Sequence, residues 1–239
     1  MEIDDSDSTQ QSGRRRRRAP QPRATGLLGP LVEYDPLDYS NLARSCVARL
    51  MAEPVVPLTE VRRFAGAGVY ALFYAGSFPP YAPVRSPDAA QPIYVGKADP
   101  SGGRKGGATG AATVRTELFD RIMEHGASIR AVANLNVEDF LCRVLVVVPL
   151  WIRMVERFLI EEHRPVWNGC LDGFGQHDPG RGRSPIVSWW DAMHPGRDVE
   201  LGWTGSLRRT RTQADAEARL RTWLALPDPP VTIDDDNLT

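Results

Sequence analysis

Two apolar runs, separated by a stretch that cannot be regular structure, constrain this chain most. Gly68-Val-Tyr-Ala-Leu-Phe-Tyr74 and Pro92-Ile-Tyr-Val-Gly96 are rich in β-branched and aromatic residues and read as strands. Between them, Ala75 to Gln91 holds four prolines and one glycine. Proline lacks the N–H that a helix or inner strand needs, so this stretch reads as a long irregular hairpin connection. A third strand is expected at Leu141 to Val148. The helical period appears in Leu37 to Met51, where Leu42, Cys46 and Leu50 share a face. It recurs from about Thr113 to His125, with Val114, Leu118 and Ile122 aligned. Trp151 to Glu162, closed by Arg164-Pro165, and Asp215 to Leu226 are further helices.

Charge decides less than it first appears to. Lys plus Arg total 29 and Asp plus Glu total 30, so net charge does not mark a nucleic-acid binder. The distribution is uneven. Residues 1–26 combine four acids with the run Arg14 to Arg18 and read as a disordered basic arm, while residues 228–239 form an acidic tail. The core between them, residues 27–227, is balanced, so any basic face must be local. Only Lys97 and Lys105 are lysines; the other cations are arginines, which pair bidentately with phosphate or guanine. Lys97 to Gly110 contains five glycines and reads as a mobile basic loop. Cys46, Cys142 and Cys170 have no close spacing, which excludes a disulfide framework and a zinc module. No run approaches the ~18 apolar residues of a membrane helix, and no secretory signal is visible, so a cytoplasmic protein is expected.

The chemistry-bearing residues follow an order. Gly68-Val69-Tyr70 and Tyr94-Val95-Gly96 form paired triads on two strands. Arg121 lies on the following helix, Glu156 on the helix after the third strand, and Asn168 in the loop beyond. This order resembles the GIY-YIG nuclease superfamily over roughly residues 64–170. The long connection between triads, the loop after Lys97, the pair Arg121 and His125, and the segments Gly173-Phe-Gly-Gln-His177 and Trp190-Asp-Ala-Met-His-Pro-Gly-Arg197 are similar to Eco29kI-type restriction endonucleases, over about residues 35–205. The resemblance implies an α+β fold: a small GIY-YIG core, a three-stranded antiparallel sheet flanked by helices, with recognition and dimerisation insertions. It implies a type II restriction endonuclease acting as a homodimer on double-stranded DNA, with Mg2+ as cofactor and Mn2+ as a substitute. Known members read the palindrome CCGCGG, and a cognate cytosine methyltransferase is expected from a neighbouring gene. The rivals are a homing or repair nuclease of the same superfamily and an inactive DNA-binding protein on the same scaffold.

Phosphodiester hydrolysis needs an activated water and stabilisation of charge on the phosphoryl oxygens. Glu156 is the one carboxylate in the right context, pointing to a single Mg2+ rather than a two-metal clamp. Arg121 offers a guanidinium to phosphate. His125, four residues on, shares its helix face; the resemblance implies that it takes or relays a proton from Tyr70 or from water. Tyr70 is assigned as base or water-orienting group, which requires help because a phenol titrates far above neutral pH. Tyr94 is expected to hydrogen-bond phosphate or water, and Asn168 to orient Glu156 or cap the helix end. Lys97, Arg104, Lys105, Arg181, Arg183 and Arg197 are candidate DNA contacts, without a division between base and phosphate readers. His177 and His194 read as loop hydrogen-bonding residues rather than metal ligands, His163 as a helix C-terminal cap, and Trp189, Trp190 and Trp203 as core or dimer anchors.

Overall fold

The computed structural model describes residues 38–100 and 116–227. The basic arm, the acidic tail, and Arg104 and Lys105 on the glycine-rich loop lie outside the described residues, as do Leu37 and residues 113–115 of two expected helices.

The chain builds one antiparallel sheet in the order β1-β4-β2-β3. The three strands expected from sequence are β2 (Gly68–Tyr74), β3 (Tyr94–Ala98) and β4 (Phe140–Val146). A fourth, β1 (Val56–Pro57), pairs Val56 with Cys142 and Pro57 with Leu141. Two residues carry no periodicity, and a proline is tolerated there because β1 is an edge. β3 begins two residues later than expected, because Pro92 lies before the ladder that pairs Tyr94 with Leu72 and Gly96 with Tyr70. The connection between β2 and β3 is not wholly irregular. Pro79–Val84 forms a 3-10 helix that buries Tyr81, a local structure in which proline at the first positions costs nothing.

All seven residues of β2 are buried, and alternation divides them between two layers. Tyr70, Leu72 and Tyr74 face α2 (Glu117–Arg130), through Leu118, Ile122 and Ile129, and an aromatic layer containing Trp167, Phe174 and Trp190. Val69, Ala71 and Phe73 face α1 (Tyr39–Ala52), through Ala43, Val47 and Leu50, and α3 (Pro149–His163), through Ile152, Val155 and Leu159. The C-terminal third adds α4 (Val166–Gly169), α5 (Trp189–Met193), α6 (Arg197–Glu200) and α7 (Gln213–Leu224). A capping box between Thr212 and Asp215 starts α7 two residues earlier than expected. α3 closes on Arg164, whose backbone is left-handed (φ 43°). That residue, not the His163 side chain, is the cap: the His163 Nε2 is buried without a hydrogen bond among the described residues.

Trp190 is wholly buried. Trp189 is partly buried between the guanidinium groups of Arg211 and Arg219, 4.3 and 4.8 Å from its ring. His194 is also core, hydrogen-bonded to Tyr81 and, through Nδ1, to Asn134 at 2.8 Å. Because β2 packs on both faces, truncation there leaves a cavity that neither layer can close. Leu72→Ala is expected to cost about 2–5 kcal/mol, read from a lower urea midpoint at unchanged slope.

Candidate active site

The site is built around the edge strand β3. Its inner edge pairs with β2. Its outer edge is held by the turn that opens α4: Trp167 N–H donates to Ile93 O at 3.0 Å. Asn168 then accepts from Val95 N–H and donates to Val95 C=O, both at 2.8 Å. Asn168 thus acts as a one-residue strand, with both ends of its amide engaged on backbone between Tyr94 and Gly96. Its bonds run to β3, neither to Glu156 nor to the end of α3.

Alternation sends the β3 side chains to opposite faces. Tyr94 and Gly96 face α2. Tyr70 stands opposite Gly96, and its ring lies across the glycine: a β-carbon at position 96 would come within 2.3 Å of the Tyr70 hydroxyl. The glycine of the second triad therefore makes room for the tyrosine of the first, rather than for approaching DNA. The Tyr70 hydroxyl is buried and has no hydrogen bond among the described residues. Burial, with the neighbouring Tyr94, pushes it well above the ordinary phenol range, against the pull of Arg121.

Three further groups meet beside it. A β-carbon at Gly175 would lie 3.0 Å from Arg121 Nη2, 3.3 Å from Tyr94 Oη and 3.8 Å from His125 Cε1. Arg121 and His125 are one turn apart on α2. His125 is stacked on Phe174, with ring centres 4.4 Å apart and planes at 20°. Its ring lies 5.1 Å from that of Tyr94 and 5.7 Å from that of Tyr70. Burial, then the charges of Arg121, Arg197 and His177, hold it well below the usual imidazole range. It is a neutral ring whose Nε2 is buried without a hydrogen bond among the described residues. Arg121 is engaged by three protein groups: Glu124 at 2.8 Å, His177 Nε2 at 2.9 Å and Gly175 O at 3.0 Å.

Val95 and Lys97 face the other way, toward α3. Lys97 Nζ is 3.1 Å from Asp99 and 3.6 Å from Glu156. Burial raises the Glu156 carboxyl above its ordinary range, and Lys97 works against that rise. Glu156 in turn raises Tyr94, after burial the main influence in that direction. The carboxylate and the tyrosine–arginine–histidine group thus come from opposite layers and meet around β3.

A family model described as the Eco29kI GIY-YIG domain matches residues 62–219. The chain belongs to this family. A comparison with curated proteins gave no match. The GIY-YIG chain is accordingly an α+β nuclease, with DNA as its implied substrate. Among the described residues no helix is long and apolar enough to cross a membrane.

The structure brings Tyr70, Tyr94, Arg121 and His125 together on one face and Glu156 with Lys97 on the other. Arg181 and Arg183 are exposed on a loop tied down by Asp178, which accepts from Thr204 and Gly205 N–H groups at 2.8 and 3.0 Å. Arg197 corrects an expectation: it is wholly buried and bound within the fold, so it cannot reach DNA. Sequence reasoning missed Asp99, Phe174 and the backbone of Gly175. The Gly173-Phe-Gly-Gln-His177 pattern was the available signal, since only a turn pressed against other groups needs two glycines around an aromatic.

Two expectations follow. Gly96→Ala should destabilise the fold by about 1–3 kcal/mol by overpacking against Tyr70. In a Gly96→Ala/Tyr70→Ala cycle most of that cost should vanish, with a coupling of at least about 1 kcal/mol; additive free energies would refute the packing. For pH, burial depresses both His125 and His194 in the fold. Unfolded, both protonate near pH ~6.5. The folded state then binds fewer protons, so this stability is whole above that pH and is lost as pH falls toward the folded values. Urea midpoints measured from about pH 7 to 5 should fall with acid, and less steeply in His194→Gln.

Proposed function

We propose that the protein is a type II restriction endonuclease: a metal-dependent enzyme that hydrolyses phosphodiester bonds in double-stranded DNA at a palindromic, GC-rich site. The observation that carries this is the arrangement about β3 of a guanidinium, a neutral imidazole and two phenols on one face and a partly buried carboxylate on the other. The nuclease unit spans residues 27–227, between the basic arm and the acidic tail, and works in the cytoplasm as a homodimer, because each subunit of a two-fold pair then cuts one strand of a palindrome. CCGCGG remains the expected target by resemblance, with a cytosine methyltransferase protecting host DNA.

A hard cation here would rest on Glu156 and water. Among the described residues no group of three or more His, Cys, Asp or Glu side chains could hold a metal. Glu156 contacts Lys97 only at 3.6 Å, longer than a hydrogen bond. Mg2+ keeps most of its waters and accepts one or two carboxylates, so Glu156 would hold it, with Mn2+ as a substitute. When bound, the ion would withdraw charge from a phosphate oxygen and from the leaving 3′ oxygen.

The chain's own residues supply the rest. Arg121 exchanges its Glu124 partner for phosphate oxygens while Gly175 O and His177 hold it in place; the Arg121–Glu124 pair is worth only ~0–1 kcal/mol, so a phosphate displaces it readily. Tyr94 donates its hydroxyl hydrogen to phosphate or water. Tyr70, protonated, acts as a relay rather than an independent base once DNA binding admits the attacking water to its hydroxyl: its oxygen accepts the water's proton as its own hydrogen passes toward neutral His125. The water oxygen attacks phosphorus, the P–O3′ bond breaks, and the 3′ oxygen leaves with the bonding pair and takes a proton from solvent. Asn168 fixes β3 beneath this site. Lys97, Arg104, Lys105, Arg181 and Arg183 are the remaining candidates for DNA contacts.

Plasmid DNA incubated with Mg2+ tests the reading. Wild type should give discrete fragments, and Glu156→Gln should lose at least about a hundredfold in rate while still binding DNA. Random nicking would favour a repair nuclease, and folded wild-type protein that leaves unmethylated GC-rich DNA intact would sink the proposal.

A further inference from the structure

We propose that Arg197, which contacts neither DNA nor metal, is a positioning residue for the nuclease reaction: it clamps the Gly173–His177 turn, and the turn sets Arg121 and His125. The inference rests on the reading of those two residues given above.

Arg197 opens α6 and is wholly buried. Its Nε donates to Asp191 Oδ1 at 2.9 Å and its Nη2 to Asp191 Oδ2 at 2.7 Å. Asp191 is itself fixed by Ser188, whose hydroxyl donates to Oδ2 at 2.6 Å. The remaining reach of the fork goes to backbone: Nη1 donates to Phe174 O at 2.5 Å and Nη2 to Gly173 O at 2.9 Å. The guanidinium plane lies against Trp190 at 4.5 Å and Trp203 at 5.0 Å. Gly173 has φ +105°, and a β-carbon there would strike Ser188 at 2.2 Å, so the turn is pressed onto the start of α5.

The turn's outer side is the site. The Phe174 ring stacks on His125, Gly175 O accepts from Arg121 Nη2, and His177 Nε2 meets Arg121 Nη1. Among the described residues, the groups that fix these two side chains from outside α2 and the sheet therefore hang on a peptide pair anchored by Arg197. A buried ion pair is a poor device for stability alone, since apolar side chains of similar volume serve a core as well. What apolar residues cannot do is satisfy two turn carbonyls while fixing their direction. Lysine, a point charge without a planar fork, cannot do it either.

Arg197→Lys separates positioning from charge. With plasmid DNA and Mg2+, it should lower the single-turnover cleavage rate on the order of a hundredfold, with affinity for the cut fragment, measured without Mg2+, within about threefold. Its pH–rate profile should keep the wild-type acid limb. Arg197→Met removes the charge as well. His125 is faced by Tyr70 from β2, Tyr94 from β3, Arg121 on its own helix, His177 from the turn and Arg197 from α6; losing the last cation should move the acid limb to higher pH. Phe174→Leu leaves the ion pair whole and should also lower the rate, by about tenfold, without changing affinity. Folded Arg197→Lys or Phe174→Leu protein that cleaves at the wild-type rate would overturn the proposal. If Arg197→Lys does not fold, by circular dichroism and melting, Phe174→Leu decides alone. His125→Ala is the control for the underlying reading: if it cleaves normally, the role of His125 fails, and the fault is not in the clamp.

Discussion

The paired hydrogen bonds between Asn168 and Val95 hold the strand on which everything else in the site depends. β3 is an edge, and an open edge is free to shift or to recruit another chain. A one-residue slip would exchange its two faces, sending Lys97 toward α2 and Gly96 toward α3. Tyr70 would then meet a side chain where it now has a glycine. By filling the outward N–H and C=O of Val95, Asn168 blocks that slip at the position between Tyr94 and Gly96. The Trp167 bond to Ile93 does the same one pleat earlier. Strand register, not any single catalytic side chain, is what places a tyrosine and a carboxylate from opposite layers around one strand.

Much of this is legible in the sequence because it depends on short-range pattern. The β-branched and aromatic content of Gly68–Tyr74 and the four-residue spacing of Arg121 and His125 put the right groups on the right elements. The triads, with Arg121, Glu156 and Asn168, fix their order. What escapes is whatever depends on a partner far along the chain. Asn168 could be read as a cap or a ligand orienter, because nothing near it names Val95. Arg197 reads as a loop cation in a Gly- and Pro-rich stretch. It is buried only because Asp191, two turn carbonyls and two tryptophan planes close around it. β1 was invisible for a simpler reason: two residues have no period.

The near-zero net charge becomes intelligible once the cations are sorted by what they can give up. Arg121 and Lys97 are each paired with carboxylates that retain solvent contact, Glu124 for the first and Asp99 with Glu156 for the second. Such pairs contribute little and exchange for phosphate at small cost. They leave the surroundings of β3 near electrical balance, although non-specific attraction to DNA is electrostatic. Arg197 and Asp191 are the opposite kind. Separating them would strand a buried charge at a cost of about 3–5 kcal/mol, so they do not exchange.

The same sorting bears on what the C-terminal third of this chain adds to the sheet and its helices. A carboxylate, an arginine and two tyrosines can be assembled by the sheet and its helices alone. Holding a histidine neutral and aimed requires a wall on its solvent side. That wall is Phe174, and its backbone needs an anchor that strand pairing cannot supply. The segment that provides the wall continues through Asp178 to the exposed Arg181 and Arg183. One stretch of chain therefore carries the groups that hold His125 and Arg121 at one end and exposed cations at the other. The Arg197–Asp191 pair fixes the inner end of that stretch, at Gly173 and Phe174, and Asp178 fixes its middle.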